Sequence, residues 1–182
     1  LSEQTILLSS GSGNQSFWDL RIVPSGSSNE TSFLEFRLNH HTASSVGTAG
    51  ITSSSLMTPA LGLKTNEFWN VMLFRTSESY NRDLSGVSVP ASQSLTWTNM
   101  TASYYLLVGR NTGDKIRDFN VISMSVTNPL ANQAWACTGS LSDPRTTAGN
   151  LVVGDTLTGS LAEVRLWKAP LSYSRFKQHI LD

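Results

Sequence analysis

Apolar and polar residues alternate at every second position through a series of short runs along this chain, the pattern of strands with one buried face. Residues 32–38 are the cleanest instance: Leu34, Phe36 and Leu38 share one face, and Phe33, Glu35 and Arg37 share the other. Residues 5–10 and 16–23 are two further runs separated by Gly-Ser-Gly-Asn, which predicts a hairpin, and residues 24–29 predict the next turn. Residues 39–55 are polar and glycine-punctuated and read as a long loop with one weak strand; residues 61–66 read as a turn or short strand. Residues 68–75 are almost wholly apolar, which predicts a central strand covered on both faces. After a polar connection with a weak strand at 85–89 come a strand at 104–109, a turn at 110–114, and an alternating strand at 119–126 that Asn128-Pro129 ends. A short buried strand is expected at 151–154.

Residues 160–167 predict a half-buried strand entered from a glycine-rich turn. Ala162, Val164 and Leu166 make its apolar face, while Leu161, Glu163 and Arg165 line the wetter one, where Glu163 and Arg165 can pair. Residues 173–181 predict a helical turn. At least ten strands are expected, with no fixed-period repeat and no linker composition, so the chain reads as a single all-β domain over residues 1–182. Strands with one apolar face need a cover, and where helices are scarce a second sheet supplies it. The expected architecture is a two-sheet antiparallel β-sandwich.

Composition narrows the function classes. The formal charge is zero and only 14% of residues are charged, so no clustered Lys/Arg surface offers itself to nucleic acid. Ser and Thr make up roughly a quarter of the chain, a usage common in β-rich extracellular or particle-surface proteins. Cys137 is the single cysteine, which rules out an intrachain disulfide and reads as a small buried hydrophobe. No apolar run approaches the ~20 residues of a membrane-spanning helix, so no membrane insertion is expected. Leu1 begins neither a signal peptide nor an initiator methionine, and the chain reads as a segment of a longer protein.

The string over residues 154–172, G-D-T-L-T-G-S-L-A-E-V-R-L-W-K-A-P-L-S, resembles the C-terminal signature of laminin G-like domains, members of the concanavalin A-like lectin/glucanase group. Gly159, Glu163, Val164, Arg165, Leu166, Trp167, Leu171 and Ser172 carry the match, and Trp69 and Met72 carry a looser one with Val71 one position early. The resemblance implies a concanavalin A-like jelly roll, with an edge strand upstream of residues 5–10 missing or compressed into residues 1–4.

The fold group contains glucanases, which place two carboxylates about 5–9 Å apart on one strand in the pattern E-x-D-x-x-E. No such string occurs; Glu35, Glu78 and Glu163 stand alone, and pairing of Glu35 with Arg37 and of Glu163 with Arg165 is the simpler expectation. Nor is there a G-x-S-x-G nucleophile elbow, and His40-His41 lie in a polar stretch. The resemblance implies Ca²⁺ at loop rims, for which Asp83 with Asn81, Asp114 with Asn111, and Asp155 are the candidate ligands. None lies in the dense acidic loop that Ca²⁺ coordination favours, and Asn and Asp also serve as turn formers.

Carbohydrate binding needs an aromatic platform beside hydrogen-bonding side chains. Trp97, flanked by polar residues and followed by Asn99, and Tyr80 beside Asn81, are the candidates; Asn111 adds a polar group, whereas Trp18, Trp69 and Trp167 read as core. The N-x-(S/T) strings at Asn14, Asn29 and Asn99 match chance expectation in so Ser/Thr-rich a chain. The resulting expectation is a non-catalytic recognition or structural module of a larger extracellular or virion-surface protein. Its partners are carbohydrate or neighbouring subunits of a multimeric assembly. A free-standing lectin or bacterial adhesin domain, and a glycoside hydrolase, are the alternatives.

Overall fold

The computed structural model describes residues 2–10, 16–26, 30–41, 51–63, 67–77, 102–126, 150–167 and 170–182. Among them, β1 (Gln4–Ser10), β2 (Ser16–Pro24), β3 (Ser32–His41), β4 (Ile51–Met57), β5 (Asn70–Ser77), β6 (Ala102–Thr112), β7 (Lys115–Val126) and β8 (Asn150–Val153) precede one helix, α1 (Tyr173–Leu181). Five strands form one antiparallel sheet in the order β4-β3-β2-β1-β8; three form the other in the order β5-β6-β7.

The alternation read along the chain builds the interior. Leu20 of β2 and Leu34, Phe36 and Leu38 of β3 turn toward Tyr104, Leu106 and Val108 of β6, and all are buried. The Phe36 and Tyr104 rings meet across the two sheets at 5.8 Å between centroids, and Trp18 leans on Phe36 at 6.3 Å. Burying a side chain of this size contributes about 1.5–3 kcal/mol, so this row holds the sheets face to face as an all-β sandwich. Burial also pushes the Tyr104 hydroxyl up to about 12, with the nearby Arg75 charge opposing the shift.

A second apolar layer lies on the outer face of the three-stranded sheet. Met72, Phe74, Tyr105, Leu107, Ile116 and Phe119 receive Phe176 and Ile180 of α1, so both faces of this sheet are covered. The helix starts at Ser172, whose hydroxyl accepts from the Arg175 amide at 3.3 Å, the usual N-cap bond. It approaches β6 closely because Gly109 lacks a side chain: a Cβ there would meet Ile180 Cγ1 at 3.3 Å and the Asp118 carbonyl oxygen at 3.2 Å.

Several expectations need correction. Strands β6 and β7 run to Thr112 and from Lys115, because Gly113, at φ +59°, and Asp114 suffice for a two-residue hairpin loop. In the three-stranded sheet the central strand is β6 rather than β5, and Phe68 is exposed. The backbone of His40 and His41 continues β3, paired with Thr52 and Ile51, where a loop was expected. On β8, Leu151 and Val153 are 39% and 44% exposed, so the strand is not buried. Residues 161–167 form no strand: they have no ladder partner among the described residues and are exposed throughout, and Trp167 is 54% exposed rather than core. Eight strands, against at least ten expected, lie within the described residues. The weak strand at 85–89, Cys137, and the strings at Asn14, Asn29 and Asn99 fall outside those residues.

Candidate functional site

The densest polar constellation among the described residues lies on the outer face of the five-stranded sheet. Period 2 sends Asp19 and Arg21 of β2 outward while Trp18, Leu20 and Ile22 go to the core; Glu35 and Arg37 of β3 follow the same rule. Antiparallel pairing sets Asp19 opposite Arg37 and Arg21 opposite Glu35, so each acid faces a guanidinium. Arg37 donates from Nε and Nη2 to Asp19 Oδ2 at 3.1 and 2.8 Å. Arg21 reaches Glu35 Oε2 from Nε at 2.7 Å and from Nη2 at 2.6 Å, and also bonds the Glu3 carboxylate.

Asp19 and Glu35 are buried, at 4% and 6% exposure, which makes these pairs more than surface decoration. The expected partner of Glu35 was Arg37; the register instead gives it Arg21. Sequence reasoning passed over Asp19 and Arg21. The signal was the pair of strings Asp19-Leu-Arg21 and Glu35-Phe-Arg37 on strands either side of one turn, which antiparallel pairing converts into two opposite-charge rows. Chemically the arrangement ties both carboxylates to arginines on neighbouring strands, and it presents no free pair of acids flanking a cleft.

A second polar group closes one end of the interior. Arg110, on the core-facing side of β6, bonds both Asp118 of β7 and Glu67, and its guanidinium sits 4.9 Å from the centre of the Trp69 ring. Trp69 packs against the core as expected, with this cation covering one side.

Of the residues singled out from sequence, Asn111 and Asp114 lie together at the β6–β7 hairpin just beyond Arg110. The Asn111 side-chain amide donates to the Gly113 carbonyl at 3.4 Å, a turn-closing contact, and Asp114 is exposed in the loop. Asp155 is exposed in the bend after Gly154, where φ is +69°. The hairpin and this bend belong to different sheets, and among the described residues no three His, Cys, Asp or Glu side chains gather as a metal-ligand group. Trp97, Tyr80, Asn81, Asp83 and Asn99 lie outside the described residues.

The segment that carries the family resemblance is the largest exposed apolar stretch among the described residues. Leu161, Val164, Leu166 and Trp167 are 42%, 43%, 81% and 54% exposed. Glu163 and Arg165 pair as expected, with Arg165 Nε donating to Glu163 Oε1 at 2.5 Å. That hydrogen bond holds the Glu163 carboxyl below its ordinary range and raises Arg165 in return. Arg165 and Trp167 both lie against His179 of α1, at 3.4 Å and at 6.1 Å between ring centroids. Among the described residues no helix is long and apolar enough to cross a membrane. In the comparisons with known proteins no family model, no curated protein and no solved structure matches this chain.

Proposed function

We propose that this chain is a concanavalin A-like, laminin G-like jelly-roll module without catalytic function, serving recognition or structure within a larger extracellular or virion-surface protein such as a fibre, spike or decoration component. It binds carbohydrate or a neighbouring protein. The observation that carries this reading is the contrast between its acids and its apolar surface. The buried carboxylates Asp19 and Glu35 are spent on Arg37 and Arg21, whereas Leu161, Val164, Leu166 and Trp167 stand exposed in one contiguous stretch. Apolar surface gathered in this way marks an interaction site, and acids neutralised by arginines on neighbouring strands serve the scaffold. The family assignment is supported by the residues from Gly159 to Ser172 and by the two-sheet architecture; the surface location follows from the Ser/Thr-rich, disulfide-free composition.

A glycan array probed with the 182-residue chain, run beside a reducing-end assay on the polysaccharides it retains, tests the reading. Glycan binding without release of reducing ends, weakened by Trp97→Ala, is the expected result for a carbohydrate-binding module. A flat array leaves the neighbouring protein as the partner. Release of reducing ends that disappears in Glu35→Gln or Glu163→Gln overturns the non-catalytic reading.

A further inference from the structure

Among the described residues the two sheets differ in width, and the difference falls on one side. β4 lies against β7, so the five strands overhang the three at β1 and β8. Leu151 and Val153 of β8 stand opposite Ser9 and Leu7 of β1, and Leu7 stands opposite the buried Leu20, so this row belongs to the core-facing side of the sheet. Its outer end is nevertheless open, with Leu151 at 39% and Val153 at 44% exposure. The far edges of β8 and β5, on this same side, have no ladder partner among the described residues.

The chain itself carries a segment with the complementary pattern. After β8 it is fixed to β1: Thr5 N donates to Thr156 Oγ1 at 2.7 Å, and Thr158 N donates to Gln4 Oε1 at 3.1 Å. At the other end, Arg165 and Trp167 lie against His179. Between these anchors, residues 161–167 alternate like a strand yet have no ladder partner among the described residues, and their apolar side chains are as exposed as the shelf. Within one copy, then, the segment and the shelf do not bury one another.

We propose that residues 161–167 of one copy pair with the free edge of β8 in a second copy of the chain as an added strand, setting Val164 and Leu166 beside Leu151 and Val153 of the neighbour on the same sheet face. Both halves of the contact belong to the same chain, so two copies satisfy each other by a reciprocal, two-fold exchange. Zero formal charge removes net repulsion between copies. The exchange closes a sheet side that is open among the described residues of one copy and covers a segment unpaired among them, two features that otherwise invite indiscriminate pairing. The inference rests on reading the chain as an assembly module, and it names the neighbour as a second copy.

Sedimentation velocity of the 182-residue chain, from micromolar to hundreds of micromolar, is the test. A monomer–dimer equilibrium is expected. Val164→Asp in the segment and Val153→Asp in the shelf each weaken it at least tenfold while circular dichroism shows both chains folded. Mixing these two variants gives a heterodimer tighter than either homodimer and weaker than the parent, because one of its two contacts joins an intact segment to an intact shelf while the other carries both substitutions. Leu166→Lys, at the most exposed apolar position, replaces Val164→Asp if that chain does not fold. A chain that stays monomeric throughout, or a dimer indifferent to all three substitutions, overturns the proposal. Monomers that still bind glycan remove the exchange and leave the module reading, whereas dimers that hydrolyse polysaccharide do the reverse.

Discussion

Replacing Gly109 by alanine probes how the helix is held to the sheet. The new methyl would sit 3.2 Å from the Asp118 carbonyl oxygen and 3.3 Å from Ile180 Cγ1, and inside contact distance of Ile180 Cδ1. The carbonyl is part of the β6–β7 ladder and has little room to retreat, so the end of Ile180 must move. Overpacking of this kind costs about 1–3 kcal/mol. Relief of the glycine's backbone entropy returns about 0.5–1 kcal/mol, leaving a net loss of about 0–2.5 kcal/mol. Ile180→Ala alone, at a buried position, is expected to cost about 2–4 kcal/mol. In the double variant the clash has gone, so the losses fall short of additivity by about 1 kcal/mol. Equilibrium urea unfolding of the four proteins, followed by tryptophan fluorescence and circular dichroism, measures the cycle. Additive losses, or a Gly109→Ala variant more stable than the parent, would refute the reasoning that Gly109 exists to admit Ile180.

Three further outcomes are expected. Arg37→Met should destabilise the chain by about 1–3 kcal/mol in urea, because it strips the buried Asp19 carboxylate of a two-point partner, and Asp19→Leu added to it should recover most of the loss; a single variant as stable as the parent would contradict this. Tyr104 keeps its proton to about pH 12 when folded, against 10.0 ordinarily, so its contribution is intact below pH 10 and is lost as pH rises from there toward 12. That loss amounts to about 2–3 kcal/mol; Tyr104→Phe should flatten this part of the stability profile, and an unchanged slope would sink the assignment. Finally, an NMR titration of Glu163 should move up toward the ordinary carboxylate range in Arg165→Gln, and no movement would show that the pair does not form in solution.

The sequence made the scaffold legible where the alternation itself decides the structure. Leu34, Phe36 and Leu38 could only be buried together, and the Gly-Ser-Gly-Asn stretch between two apolar runs could only join neighbouring strands. Register was less accessible: Glu35 and Arg37 share one face of β3 whatever the pairing, but which β2 side chain stands opposite Glu35, Arg21 or Asp19, is set by the bond pattern between β2 and β3. Coverage was least accessible of all. Residues 161–167 have a strand-like alternation, yet they join no sheet among the described residues, and Leu151 and Val153 of β8 are exposed on a core-facing row; what covers a strand is set by its neighbours in space, which no local pattern records. The same holds for the site: the Glu163–Arg165 pair is local and was readable, whereas the Arg110–Glu67–Asp118 cluster joins the β6–β7 hairpin to a residue far upstream in the chain.

The claim joining these observations is that an uneven sandwich is finished by another molecule of its own kind. Amide hydrogen exchange over residues 161–167 and 150–153, compared at low and high protein concentration, tests it most directly. The account predicts that residues 161–167 and the β8 amides on the edge away from β1 exchange freely when dilute and become protected together when concentrated. Protection that is equally strong at both concentrations, or absent at both, would contradict it.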